Sequence, residues 1–166
     1  MSKFKNYKYT TDQGCIPPEL YLKCSGVELF KMMIAGDIPQ PPISKIMCFS
    51  MVDAQVGKVV FKGTPNLTHY NPLGSVHGGW YGTIMDSALS CAVQSKLPAG
   101  MRYTTVEYKI NMIRPMFDTT GEVTCEANAI HVGRTIGTSE AKITDKNGKL
   151  IAHGTATCAI FPAKKS

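Results

Sequence analysis

Between His77 and Ser95 only one residue carries a formal charge, Asp86; its neighbours there are apolar, small or neutral polar. A lone carboxylate in such company is costly to bury unless it is paired or protonated, so packing alone seldom keeps one. The chemistry it offers is that of a general base or a nucleophile. Its plainer role would be a hydrogen bond to the backbone of a neighbouring strand. Upstream stands Asn71-Pro-Leu-Gly-Ser-Val-His77-Gly78-Gly79. Two glycines at a helix start let a ligand approach unpaired backbone N–H groups, which lie at the positive end of the helix dipole. Such donors are what a developing oxyanion needs.

These residues need a rigid carrier. Val76–Lys96 is predicted to be one long helix. Trp80, Tyr81, Ile84, Met85, Ala88, Leu89, Cys91, Ala92 and Val93 cover more than half its circumference, so it is buried nearly all round. The remaining face is small or polar: Thr83, Ser87, Ser90 and Gln94. From Phe49 the pattern switches to period two, and Val56–Lys62, Tyr103–Ile113, Glu122–Val132, Thr135–Thr144 and Leu150–Phe161 are predicted strands. In the second of these Val106, Tyr108, Ile110 and Met112 alternate with Thr105, Glu107, Lys109 and Asn111. Asn147-Gly148 marks a hairpin, and strands this closely spaced pair antiparallel. A helix enclosed by a curved antiparallel sheet of about five or six strands is the α+β arrangement called the hotdog fold. That domain is assigned to residues 46–162. Ahead of it, residues 1–45 form an N-terminal extension. Its first ten residues read as loose. Pro17-Pro18 open one helix, Glu19–Ala35, in which Leu20, Val27, Phe30 and Ile34 recur at helical steps. Ile38–Pro42 reads as a connector.

Asn71-x-x-Gly74-x-x-His77-Gly78-Gly79, followed seven residues later by Asp86, resembles the acyl-CoA thioesterases of the hotdog superfamily, specifically the phenylacetate-degradation type. The likeness runs over about residues 59–161 and includes Thr105–Pro115, ending in Arg114-Pro115, with Gly133-Arg134-Thr135 and Gly148–Ala152. Residues 1–45 are longer than this family usually carries. The resemblance implies hydrolysis of an acyl-CoA or aryl-CoA thioester, with no cofactor and no metal. It makes Asp86 the catalytic carboxylate, either activating water or attacking the thioester, and Gly78 the N–H that binds the thioester carbonyl. Asn71 and His77 match polar groups that fix substrate and water. Thr105, placed by counting back from Arg114-Pro115, matches a hydroxyl beside the water. Arg134 and Thr135 offer a charge-assisted contact to the phosphates of coenzyme A, with a solvated turn as the even alternative. Met32-Met33 reads as core packing ahead of an acyl-pocket lining.

Asp86 lies eight residues beyond Gly78, about 12 Å along a helix. One carbonyl cannot meet both groups of a single chain at hydrogen-bond distance. If both act on one thioester, two chains combine, so a homodimer is the minimum unit; the resemblance favours a homotetramer.

Other functions fit less well. The net charge is +6, yet five of the lysines lie within residues 1–10 and 161–166, leaving the intervening body near neutral. Nucleic-acid binding demands a basic stripe that this body lacks. The six cysteines show no CxxC spacing, which argues against a zinc framework, and a catalytic thiolate among them is a poor reading. His69, His131 and His153 share no ligand spacing. Neither a signal-peptide apolar region nor a membrane-length apolar run is present, so the expected location is cytoplasmic, away from any membrane. Enoyl-CoA hydration in this fold looks for an Asp followed five residues later by His, and Asp86 is followed there by Cys91. The rival from another class is a non-catalytic acyl-CoA sensor or carrier, which would have no need of Asp86.

Overall fold

The computed structural model describes residues 14–163. The expectation of a loose segment at residues 1–10 lies outside them. Six strands form one sheet in the order β1-β2-β4-β5-β6-β3, and every neighbouring pair is antiparallel. The strands are β1 (Phe49–Gln55), β2 (Lys58–Gly63), β3 (Met101–Met112), β4 (Val123–Val132), β5 (Ile136–Thr144) and β6 (Leu150–Pro162). Helix α4 (Gly78–Ser95) packs against β2, β4, β5, β6 and β3. The hotdog architecture expected from the sequence is therefore the one observed. β1 and β2 form a hairpin through Val56-Gly57, so the period-two region from Phe49 holds a strand more than the five delimited from sequence.

The core sits between α4 and the sheet. Trp80, Ile84, Met85 and Leu89 face Val59, Phe61, Val123, Cys125 and Ile143, all at 5% exposure or less. Each side chain of this size stabilises the fold by about 1.5–3 kcal/mol on full burial. Trp80 and Tyr81 are core residues with their polar ends satisfied, by Met47 O at 2.8 Å and Arg114 O at 3.1 Å.

The N-terminal segment departs from the single helix expected over Glu19–Ala35. It forms α1 (Pro18–Tyr21) and α2 (Gly26–Ile34), and a further helix, α3 (Pro42–Ile46), starts at the end of the connector. The break is a capping box: Ser25 Oγ accepts from Glu28 N, while Glu28 Oε2 accepts from Ser25 N at 2.8 Å. Leu20, Cys24, Leu29, Met33 and Ile38 make a second apolar cluster that seals this segment. α2 is held on α4 at one point of very close approach, where Gly26 N donates to Leu97 O at 3.0 Å and a Cβ on Gly26 would overlap Gln94 O.

β3 lies at the sheet edge, bonded only to β6. Its register slips between Thr105 and Glu107, a bulge at Val106. Bulges rephase the side chains beyond them. Before it, Tyr103 and Thr105 face α4; after it, Tyr108 and Met112 do, touching the helix at Gly82 and Gly78. The simple alternation expected over Thr105–Met112 thus breaks at its start.

Candidate active site

Asp86 is half-buried on the face of α4 that β3 crosses. Thr105 Oγ1 donates to its Oδ1 at 2.9 Å. One turn further along, Tyr103 OH donates to Ser90 Oγ at 3.1 Å, and burial pushes the Tyr103 hydroxyl well above its usual range. The two residues flanking this helix face are therefore a hydroxyl pair aimed at it from β3.

At the other end of α4, His77 is the helix N-cap. Its exposed ring accepts from Gly79 N at Nδ1, 2.8 Å away, and its carbonyl accepts from Trp80 N at 2.9 Å. Gly78 N is thereby left without a hydrogen-bond partner among the described residues. A Cβ on Gly78 would stand 3.2 Å from the Met112 thioether, so a larger side chain here would crowd the end of β3 beside this donor. Asn71 lies in the preceding loop rather than on the helix. Its Oδ1 accepts from Leu73 N at 2.9 Å and Ser75 N at 3.3 Å, and its Nδ2 donates to Ser75 Oγ at 3.1 Å. In this protomer its side chain holds the loop that leads into His77. Gly78 and Asp86 remain two turns apart on one helix. Arg134 and Thr135 are exposed in the β4–β5 turn.

Two adjoining cavities meet at Asp86. One, of about 390 Å³, opens towards β3 and is lined by Thr104 and Thr105. The other, of about 430 Å³, runs under the N-terminal helices between Leu29, Phe30, Met33, Met51 and Phe61. Asp86, Ser90, Gln94, Tyr21, Arg102 and Tyr103 line both. Arg102 stacks over the Tyr21 ring at 4.7 Å, at the lining the two cavities share. Volumes of this order suit a small organic group. Met33 both packs in the second apolar cluster and lines the larger cavity, whereas Met32 only packs.

Sequence reasoning missed Tyr21, Arg102 and Gln94 as cavity residues. Tyr21 and Arg102 lie far apart in the chain, and Gln94 looked like part of the polar helix face. Burial pushes the Cys91 thiol up to about 12 and the Cys158 thiol up to about 11, so neither offers a ready thiolate. His69 is structural, with Nδ1 accepting from Asn66 N at 3.1 Å and Nε2 at 3.0 Å from Ile46 O. Among the described residues no cluster of three His, Cys, Asp or Glu is arranged to hold a metal, and no helix is long and apolar enough to cross a membrane.

Residues 73–152 match the family model of the thioesterase superfamily. A protein of Halobacterium salinarum named for an inferred esterase activity is 32% identical over 80 residues, covering 46% of this chain. That alignment spans only 51% of the relative's own length. The 1,4-dihydroxy-2-naphthoyl-CoA hydrolase of Listeria monocytogenes is 27% identical over 69% of this chain and 92% of its own. Among solved structures, a conserved protein of Pseudomonas aeruginosa is 30% identical, covers 72% of this chain and 94% of its own, and superposes with a TM-score of 0.67. The PaaI protein of the Escherichia coli phenylacetic acid degradation operon shares the fold, with a TM-score of 0.71 over 85% of this chain and 97% of its own at 19% identity. The chain belongs to the thioesterase superfamily. The superfamily read from its motifs is upheld, and the phenylacetate-degradation proteins share its fold.

Proposed function

We propose that the chain hydrolyses acyl-CoA or aryl-CoA thioesters to the free acid and coenzyme A, at a site shared by two protomers. In this reading Asp86 of one protomer faces the thioester carbonyl held by Gly78 N–H of the other. As a general base, Asp86 takes a proton from water as the water oxygen bonds to the carbonyl carbon. The oxyanion that forms is stabilised by the Gly78 donor at the positive end of α4. Collapse breaks the C–S bond, and the departing thiolate takes up the proton. As a nucleophile, Asp86 would instead form a mixed anhydride that water then opens. Thr105 fixes the carboxylate, and Asn71 and His77 shape the loop and cap that present Gly78. Arg134 and Thr135 are proposed to meet the phosphates of coenzyme A from their exposed turn.

The observation that carries this reading is the position of Asp86, the single charge on α4, hydrogen-bonded to Thr105 at the junction of two cavities of substrate size. Support for acyl-CoA comes from the naphthoyl-CoA hydrolase among its relatives. Support for the dimer comes from β3, whose outer edge is unpaired among the described residues and whose Val106, Tyr108 and Met112 are 48–58% exposed. Pairing of dimers into a tetramer is the proposed assembly. A cytoplasmic location is part of the proposal, supported by six cysteines that are all free thiols.

Asp86→Asn tests it. The variant keeps shape and hydrogen bonding but lacks the basic carboxylate, and kcat for a panel of acyl-CoAs, read as released thiol, should fall roughly 10²–10⁴-fold. Single turnover in heavy-oxygen water separates the two roles: label entering Asp86 marks the anhydride, and label in the released acid alone marks direct attack by water. Full activity in the variant would overturn the catalytic assignment and favour a binding protein.

A further inference from the structure

Gln94 is 2% exposed, and neither its Oε1 nor its Nε2 has a hydrogen-bond partner among the described residues. Ser44, on α3 and 4% exposed, leaves its Oγ unpartnered, as the neighbouring Gln40 does its Oε1. All three side chains line the larger cavity, Gln94 from α4 and Ser44 and Gln40 from the N-terminal segment. Four of the five buried polar side-chain atoms without partners thus surround one space. The rest of the lining is largely apolar, with Phe30, Met33, Met51 and Phe61, and its hydroxyls at Ser90 and Tyr103 are already paired with each other. A hydrocarbon group filling this space would strip solvent from the Gln94 amide and offer nothing in return. A group with its own oxygen would pair with it. Leaving a buried donor and acceptor unpaired is the costly outcome, so such a site discriminates strongly for a ligand that completes it.

We propose that Gln94 and Ser44 are specificity determinants, which read an oxygen function on the acyl moiety at the end remote from the thioester. The enzyme would then prefer oxygenated acyl groups to their hydrocarbon counterparts. Gln94 lies two turns beyond Asp86, about 12 Å along α4, which sets the reach from the carbonyl to that oxygen. A hydroxyl donates to Gln94 Oε1 and accepts from Nε2; a keto oxygen accepts from Nε2 and from Ser44 Oγ–H. The N-terminal segment thereby becomes half of the acyl chamber, with Leu29, Phe30 and Met33 around the hydrocarbon body. This inference rests on the acyl-CoA reading above.

Matched pairs test it: para-hydroxyphenylacetyl-CoA against phenylacetyl-CoA, and ω-hydroxyoctanoyl-CoA against octanoyl-CoA. Affinities are measured by calorimetry on their non-hydrolysable thioether analogues, and hydrolysis on the thioesters themselves. The oxygenated member of at least one pair should bind about ten- to a hundredfold tighter, and which pair responds tells an aryl from an aliphatic acyl group. Gln94→Leu should erase or reverse that preference. Ser44→Ala, which leaves the α2–α4 contact intact, should reduce it, and decides the matter if Gln94→Leu does not fold. Equal affinities within both pairs, or a preference untouched by either substitution, overturns the inference. Failure to hydrolyse any thioester counts against the proposed reaction and leaves the affinity ratios to judge Gln94 and Ser44.

Discussion

In the proposed reaction the Asp86 carboxylate must be held still, and Thr105 donates a hydrogen bond of 2.9 Å to it. Thr105→Val preserves the volume and removes the donor. A hydrogen bond to a charged group contributes about 1.5–3 kcal/mol, so kcat should fall about ten- to a hundredfold with KM nearly unchanged, and Thr105→Ser should restore most of it. Steady-state kinetics of both variants on one acyl-CoA gives the answer; a Thr105→Val enzyme with wild-type kcat would mean that Asp86 is positioned by something else. Asp86 was legible in the sequence because a lone charge on an apolar helix is anomalous. Thr105 was legible only through its distance from Arg114-Pro115. Plain alternation set it opposite Tyr108, and the bulge at Val106 turns both towards α4. The roles given to Asn71 and His77 came from the family resemblance. That Asn71 closes its own loop and His77 caps the helix depends on hydrogen bonds that no spacing rule encodes.

At the scale of elements, the proposed acyl chamber depends on how closely α2 lies on α4, and Gly26 sets that distance. Its N–H bonds Leu97 O, and the space a methyl group would need is filled by the backbone of Gln94. Gly26→Ala should therefore push α2 outward rather than stiffen it. Overpacking of this kind costs about 1–3 kcal/mol, and a domain of this size loses roughly 2–4 °C in Tm per kcal/mol. Thermal unfolding should show that loss, together with a larger KM for substrates that fill the chamber. An unchanged Tm and KM would mean that the α2–α4 contact is dispensable. The six strands and α4 were largely legible, because period two and a broad apolar arc are strong signals. The break within Glu19–Ala35 was written in Ser25-x-x-Glu28, but apolar spacing continued across it and hid the cap. The position of the N-terminal helices over Asp86 is a long-range contact, and local pattern carries no information about it.

Taken whole, the protomer holds the two proposed catalytic groups at opposite stretches of one helix, about 12 Å apart, too far to share a carbonyl. It also presents a long strand, β3, with one edge unbonded, running from Tyr103 beside Ser90 to Met112 beside Gly78. Two copies related by a two-fold axis through that edge would bring the Gly78 end of one helix towards the Asp86 region of the other, making two identical sites. The arrangement has a consequence that neither group alone provides. Gly78→Val crowds the open donor while leaving Asp86 intact, and Asp86→Asn does the reverse. Each homodimer should be nearly inactive, since loss of one oxyanion donor costs about 10²–10³-fold and loss of the base at least as much. When the two variants are mixed and allowed to exchange subunits, half of the dimers are hybrids. In each hybrid, one site receives both defects and the other receives none. The mixture should recover about a quarter of wild-type activity at equal total protein, because one site in four is intact in a symmetric two-fold assembly. Size-exclusion chromatography before and after exchange confirms that dimers persist. Recovery to that level fixes the donor and the carboxylate on different chains. No recovery from a mixture that demonstrably exchanges would place both groups of each site on one chain, and the shared-site mechanism would fall.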